Sequence, residues 1–424
     1  MAILKRFVGA RQPVRLAGLL LAAVLAACSS PSNRVVSTAP PAVVVPAETS
    51  TTAAPLPSAP QNRVALLVPL TGANAAVGQS IANAANMALL ESGERRINLR
   101  VYDTAAGGAA AAAGRAIGDG ARLFLGPLLA GDVRAVQGIA TANTVPLISF
   151  SNDAALAGEG TYVLGFQPGQ SIARAVAYAR SKGVVRFAAL IPSGIYGQRA
   201  STAFLRAVEA NGGKVVSVVN YTRTPQKLLA AARAVTDYDK RLAIAAKTPA
   251  LRPDGSVAPV TARMPPVAFQ ALLIADAGPV AAAFGPALTQ YGASGVVILG
   301  TELWNNEPAL RNAKGLAGAV FASVPDDRFA QLSGRYRAKF GAGPSRLASF
   351  GYDSVLLVNS LADRWPLGEP FPRALLANPD GFAGIDGVFR FTPSGVADRA
   401  LEVSRIQGGA IVTVAPAPRT LKGG

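Results

Sequence analysis

The chain has 424 residues, with 41 lysines and arginines against 24 aspartates and glutamates, no histidine, one cysteine and a formal net charge of +17. Without histidine it cannot build a Ser-His-Asp triad, a Cys-His dyad or a histidine-ligated zinc site, and one cysteine allows no disulfide framework. The basic residues are dispersed and not grouped in runs, so we expect a solvated basic surface and no nucleic-acid partner.

The first 27 residues have the layout of a secretory signal. Four basic residues precede an apolar run from 16 to 27, and no acidic residue occurs before Cys28. A membrane-spanning helix needs about 20 apolar residues, so this run is too short to span. We therefore expect residues 1–27 to be a cleaved signal peptide.

The residues at the end of this segment, "LAAC" with Cys28 last, resemble the bacterial lipobox. The resemblance implies cleavage before Cys28 and a diacylglycerol on its thiol. The alternative is an ordinary signal in which Cys28 is incidental. In lipoproteins an aspartate after the cysteine favours the inner membrane; Ser29 stands here, which implies a lipid anchor in the outer membrane on its periplasmic face.

Residues 28–62 follow as a segment rich in proline, alanine, serine and threonine, with no aromatic residue. Such a composition cannot bury enough apolar surface to offset the entropy of ordering. We expect a disordered tether that carries the lipidated Cys28 at its start.

The body, from 63 to 415, alternates short apolar runs with alanine-rich amphipathic stretches. Strands are predicted at 63–70, 98–104, 123–128 and 145–151, and the alternation restarts with strands at 186–192, 271–276 and 295–300. Strands separated by helical stretches indicate βαβ units and parallel sheets. The predicted fold is α/β with two Rossmann-like lobes: lobe 1 at about 63–167 and 317–378, and lobe 2 at about 168–316 and 379–415.

Several stretches carry a family resemblance: "VALLVPLTGANAAVGQ", "LFLGPLLAGDVRAV", "VPLISFSNDAAL", "AALIPSGIYGQ" and "GFAGIDGVFRFTPSGVADR". With these stretches the chain resembles the type I periplasmic binding proteins of the leucine-binding kind over 63–412. Within that superfamily the lipobox, the tether and the opening and closing motifs are most similar to the penicillin-binding protein activator lipoproteins of the LpoA type. Longer members of that group carry an N-terminal helical-repeat domain, whereas this chain has a linker there.

The resemblance implies a ligand site between the lobes. Hydroxyls of lobe 1 would hold a ligand carboxylate, and an acid of lobe 2 would face its ammonium. The implied positions are Ser149, Ser151 and Asp153 in lobe 1, and Tyr196 and Glu302 in lobe 2. Asp153 stands where the family has a threonine, and an aspartate there would repel a ligand carboxylate.

Each of these residues also has a structural interpretation. Ser149 and Ser151 suit helix N-caps, Tyr196 suits a tight strand-to-helix turn with its ring packed, and Glu302 suits a cap or a pair with an arginine.

Two functions follow from the resemblance. The first is a regulatory lipoprotein that binds and activates a bifunctional peptidoglycan synthase; the second is the amino-acid-binding protein of an ABC importer. The altered carboxylate positions favour the first, while a small-molecule ligand in the cleft stays open. Because no catalytic residue, metal site or cofactor motif stands out in the sequence, we expect a protein that is not an enzyme and uses no cofactor.

Overall fold

In this computed structural model, the structure describes residues 60–247, 252, 254–257 and 259–421. This part of the chain begins with parallel strands. The predicted signal peptide, Cys28 and all but the last residues of the predicted tether lie outside it. The first segment contains the following strands and helices: β1 (Asn62–Val68), α1 (Ala75–Ser92), β2 (Ile97–Asp103), α2 (Ala109–Gly118), β3 (Leu123–Leu125), α3 (Ala130–Ala142), β4 (Leu147–Ser149) and β5 (Thr161–Val163). These strands pair in parallel in the order β2-β1-β3-β4-β5.

The second segment builds another parallel sheet. Its elements are α4 (Pro168–Ser181), β6 (Arg186–Pro192), α5 (Ile195–Ala210), β7 (Lys214–Tyr221), α6 (Pro225–Val235), α7 (Tyr238–Lys247), β8 (Ala271–Ile274), α8 (Gly278–Gln290), β9 (Val297–Leu299) and β10 (Val320–Ser323). Strands β6 and β8 are buried along almost their whole length, because helices cover both faces of a parallel sheet.

The third segment returns to the first sheet and then to the second. It contains α9 (Asp327–Phe340), α10 (Ala348–Leu361), β11 (Phe382–Gly384), β12 (Gly387–Phe391), β13 (Ala397–Arg399), β14 (Glu402–Gln407) and β15 (Ala410–Ala415). β11, β12 and β13 form a small antiparallel sheet. β14 pairs antiparallel with β10, so the second sheet has the order β15-β14-β10-β9-β8-β6-β7.

The chain therefore crosses between the two lobes three times, after β5, after β10 and after β13. The predicted α/β fold with two parallel-sheet lobes is confirmed. The lobe limits differ from the predicted ones at two places. β10 lies in the second sheet, although lobe 1 was expected to resume at 317; and Phe382, Phe389 and Phe391 pack into the core of lobe 1, although 379–415 was assigned to lobe 2.

Lobe 1 closes its core by a close contact between two helices from distant parts of the chain. α1 and α10 pack side by side, and a Cβ at Gly351 of α10 would lie 2.2 Å from the carbonyl oxygen of Ile81 in α1. Only glycine allows this approach. Within the described ranges, no helix combines the length and the apolar character that crossing a bilayer demands.

Candidate functional site

A cavity of about 440 Å³ lies between the lobes. The loops that line it follow the carboxyl ends of β1, β3, β4 and β9, which is the edge where open α/β sheets place their ligands. Its lining residues are Asn74, Val77, Leu128, Leu129, Phe150, Asn152, Phe166, Glu302, Leu303, Asn305, Arg346, Leu347 and Phe350. The cavity is thus mostly apolar, with Glu302 and Arg346 as its two ionisable side chains.

Three phenylalanine rings form one wall of this cavity. The Phe350 ring lies 5.8 Å from that of Phe150 and 4.6 Å from that of Phe166, between ring centroids. At the rim Leu129 of lobe 1 is 39% exposed and Leu303 of lobe 2 is 38% exposed. Both lobes therefore contribute apolar surface to the same opening.

Glu302 and Tyr196 meet on the lobe 2 side of the cavity. Glu302 lies in a turn of 3-10 helix that begins after Thr301, and Tyr196 lies in the first turn of α5. The Tyr196 hydroxyl donates to Glu302 Oε1 at 3.0 Å and lies 3.1 Å from Thr301 Oγ1. The structure thus brings together the two residues that the sequence analysis assigned to lobe 2.

Burial changes the proton affinity of both groups. It raises the pKa of the Glu302 carboxyl to about 7, while the hydrogen bond from Tyr196 and backbone hydrogen bonding act in the opposite direction. Burial and the neighbouring Glu302 also raise the pKa of Tyr196. At neutral pH the Glu302 carboxyl can therefore exist with or without its proton.

A second, closed cavity of about 10 Å³ lies beside Glu302, at the crossing segments. Glu302 and Arg399 both line it, and Glu302 Oε2 and Arg399 Nη1 are buried with no hydrogen-bond partner among the described residues. A space of this size holds about one water molecule. The cleft acid and an arginine of the crossing segment thus border the same small space.

Ser149 and Ser151 do not offer their hydroxyls to the cleft. Ser149 Oγ donates to the carbonyl oxygen of Pro127 at 3.3 Å and accepts from the Ser151 N–H at 3.0 Å. Ser151 Oγ accepts from the Asp153 N–H at 3.2 Å. Both side chains are buried, and their neighbours Phe150 and Asn152 line the cavity instead. The hydroxyl oxygens of both serines therefore bond to backbone groups of lobe 1.

Asp153 is directed away from the cavity and into ion pairs. Its side chain is 2% exposed; one carboxylate oxygen lies 2.9 Å from Arg134 Nη2 and 2.7 Å from Arg199 Nη2. The other oxygen accepts from the Ala155 N–H at 3.1 Å and so caps the short helical turn that follows. Two guanidinium groups therefore balance its charge, and Asp153 does not line the cavity that was expected to hold a carboxylate.

Four buried charged residues near the crossings were not singled out by the sequence analysis. Arg346 Nη1 lies 2.8 Å from Asp386 Oδ1, and its guanidinium stacks on Phe329 at 4.2 Å. Asp353 accepts from the backbone N–H groups of Ile385 and Asp386 at 2.6 and 3.2 Å. Burial and the charge of Asp386 raise the pKa of Asp353 above its usual range.

Arg399 completes this group of charges. It donates to the carbonyl oxygen of Leu164 at 2.7 Å, and its guanidinium lies 5.1 to 5.2 Å from the rings of Phe389 and Phe166. Burial lowers the pKa of Arg399, although Asp386 and Asp353 act against this shift. One feature of the sequence could have indicated this group of charges, because Asp353 is an acid inside the apolar helical stretch "ASFGYDSVLLV". A buried charge requires partners.

The fold and the cleft between its lobes define a class of protein. The chain belongs to the periplasmic binding protein family, whose model matches residues 61–410.

Particular relatives share this fold at low sequence identity. The leucine-binding protein LivK of Thermotoga maritima is 20% identical with a TM-score of 0.55, over 84% of this chain and 98% of that one. The C-domain of LpoA from Haemophilus influenzae, described as a regulator of PBP1A, is 17% identical with a TM-score of 0.60, over 84% of this chain and all of that one.

A curated relative also matches in sequence. An uncharacterized protein of Rickettsia prowazekii is 25% identical over 175 residues, which are 41% of this chain. The match spans about half of that relative's length, 47%.

Proposed function

We propose that the protein is a non-enzymatic envelope lipoprotein that binds a peptidoglycan synthase and raises its activity. The observation that carries the proposal is the state of the predicted carboxylate site. Ser149 and Ser151 bond to backbone groups of lobe 1, and Asp153 is paired with two arginines. In this mostly apolar cavity the carboxylate of a free amino acid would receive no hydroxyl donors from these serines, and Arg346, the cation that lines the cavity, is already paired with Asp386. A poorly paired buried charge is costly.

The fold likeness to the LpoA C-domain fits this proposal, because that domain is described as a regulator of PBP1A. Activation requires only that the protein binds one conformation of the synthase better than another. In this proposal the lipid on Cys28 anchors the protein at the periplasmic face of the outer membrane, and the segment 29–62 provides the reach.

A second candidate is the substrate-binding protein of an ABC importer for amino acids. The cavity of about 440 Å³ favours it, because Glu302 lines its lobe 2 side as an ammonium-binding acid would and is hydrogen-bonded to Tyr196. The fold likeness to LivK fits this candidate equally well.

Two measurements on the purified full-length protein separate these candidates. One is the rate of glycan polymerisation by a bifunctional peptidoglycan synthase of the same cell, with and without the protein. The other is thermal unfolding against a panel of amino acids, where a ligand at about 100 times its Kd stabilises by about 2.7 kcal/mol and so raises the Tm by several degrees. We expect a faster synthase and no amino acid that raises the Tm.

Glu302→Gln provides the matched variant for both measurements. It should leave activation of the synthase unchanged, because the proposal assigns the cleft no part in it. An amino acid that raises the Tm of the wild type and not of Glu302→Gln, together with an unaffected synthase, would establish the importer candidate and refute the proposal.

A further inference from the structure

One carboxylate connects the two lobes through side-chain ion pairs. Asp153 follows β4 in lobe 1, and the same oxygen is paired with Arg134 of α3 in lobe 1 and Arg199 of α5 in lobe 2. The pair to Arg199 is the shorter of the two, at 2.7 Å. Arg134 thus holds the carboxylate within its own lobe, while Arg199 reaches it from the other.

The surroundings make this contact unlike an ordinary surface ion pair. The Asp153 side chain is 2% exposed, whereas Arg199 and Arg134 are 35% and 59% exposed. A buried carboxylate that loses a partner keeps a poorly solvated charge, which costs more than the loss of an exposed pair. Rotation of the lobes that withdraws Arg199 therefore removes half of the counter-charge of a buried acid.

The contact also lies beside the first crossing between the lobes. A cavity of about 440 Å³ next to it is lined by Asp153 and Arg199, by Gln167 and Pro168 of that crossing, and by Val396 before β13. The ion pair therefore spans the lobes at a place where hinge rotation would change their separation.

We propose that Asp153 and Arg199 form a latch that holds the lobes in one relative orientation without a bound ligand. The protein supplies the bridging anion itself, from Asp153, and Arg134 keeps that anion in place. A ligand in the main cavity then shifts the lobes to a second orientation only if it binds that orientation better than the first. This difference in binding free energy must exceed the free energy with which the latch favours the first orientation. This inference holds whichever partner the protein serves.

Distance measurement between spin labels tests the latch in the full-length chain. The native Cys28 is replaced by Ser, and cysteines are placed at Ala76 of α1 and Ala283 of α8. Both positions are exposed and small; Ala76 lies in the first turn of α1 and Ala283 near the middle of α8. Electron double resonance then reports the distribution of distances between the lobes.

The matched comparison is Arg199→Gln with Arg134→Gln, because each removes one guanidinium from the same carboxylate. We expect a narrow distribution for the parent, a longer and broader one for Arg199→Gln, and the parental distribution for Arg134→Gln. Equal distributions for the parent and Arg199→Gln would refute the latch, and so would an equal displacement in both variants.

Asp153→Asn is a further variant that keeps the test decisive if one of the arginine variants does not fold. It retains an oxygen for the Ala155 N–H and removes the charge that both arginines bind. We expect it to broaden the distribution as Arg199→Gln does, with a cooperative thermal transition that shows a folded protein. A folded Asp153→Asn with the parental distribution would contradict the proposal.

Discussion

The Glu302 side chain meets three different surroundings. It borders the main cavity, its Oε1 accepts from Tyr196, and its Oε2 is buried at the crossing segments without a partner among the described residues. Burial favours the neutral form, so the carboxyl holds its proton up to a pKa of about 7. Its protonation state therefore changes within the range of ordinary working pH.

The pH dependence of stability tests this property of Glu302. Because its pKa rises from 4.5 to about 7 on folding, the folded state binds more protons between these values and the free energy of unfolding falls as the pH rises through this window. Glu302→Gln removes this contribution. Relative to the wild type, the variant should gain about 1 to 3 kcal/mol on going from pH 4 to pH 8.

Urea denaturation at the two pH values measures this difference. The exposed Glu209→Gln in α5 is the charge-matched control, and it should follow the wild type at both values. Parallel curves for the wild type and Glu302→Gln would mean that burial does not hold the proton on this carboxyl.

At the residue scale, the sequence predicted where the site residues lie in the fold better than it predicted the contacts of their side chains. Tyr196 and Glu302 were expected in lobe 2, and their side chains meet there. Ser149 ends β4, and Ser151 and Asp153 follow it, as predicted. Their side chains bond to backbone groups or to arginines, because short polar side chains at the end of a strand compete for nearby backbone groups. Arg346 gave no signal, since its partners Asp326 and Asp386 are distant in the sequence.

At the scale of elements, close backbone contacts decide how helices lie on their neighbours. Gly351 places α10 against α1, and an alanine Cβ there would meet the Ile81 carbonyl oxygen at 2.2 Å. Gly114 in α2 is the opposite case, because it is exposed and a Cβ there would meet nothing within 4 Å. The same substitution should therefore have opposite effects at these two helical glycines.

Gly351→Ala should lower the free energy of unfolding by about 1 to 3 kcal/mol, because α10 must move away from α1. Gly114→Ala should raise it by about 0.5 to 1 kcal/mol through helix propensity alone. Chemical denaturation of both variants beside the wild type measures the difference. A stabilised Gly351→Ala would show that α1 and α10 do not pack at this distance.

The elements themselves were largely readable from the sequence. Strand β6 has the predicted bounds, 186–192, and the other predicted strands lie within a few residues of the observed ones. The three crossings of the chain between the lobes were predicted, and the limit of the first agrees with the structure, but the limits of the other two were misplaced, because β10, β11 and β13 are short and no change of composition marks these crossings. Which sheet a short apolar strand joins is set by tertiary packing and not by its own residues.

At the scale of the whole molecule, the predicted lipid anchor determines in which cell fraction we expect the protein. Cys28→Ala removes the only thiol of the chain and with it the predicted lipid, whose chains supply the membrane affinity at about 0.8 kcal/mol per buried CH₂. We expect the variant in the soluble fraction and the wild type in the outer-membrane fraction.

Ser29→Asp is the matched variant for this fractionation. By the lipoprotein resemblance it should retain the lipid and move the protein to the inner membrane. A Cys28→Ala protein that stays with membranes after a high-salt wash would show that another part of the chain anchors it.

The three crossings between the lobes also determine when each lobe can be completed during synthesis. Lobe 1 begins with β1 to β5, but α10, which covers α1, is made only after β6 to β10 of lobe 2. The sheet of lobe 2 in turn receives β14 and β15 last. Contacts between such distant segments slow folding, so neither lobe is finished until the chain is nearly complete. A chain that stops after β10 would leave the apolar face of α1 without its cover, and the two lobes must mature as one unit.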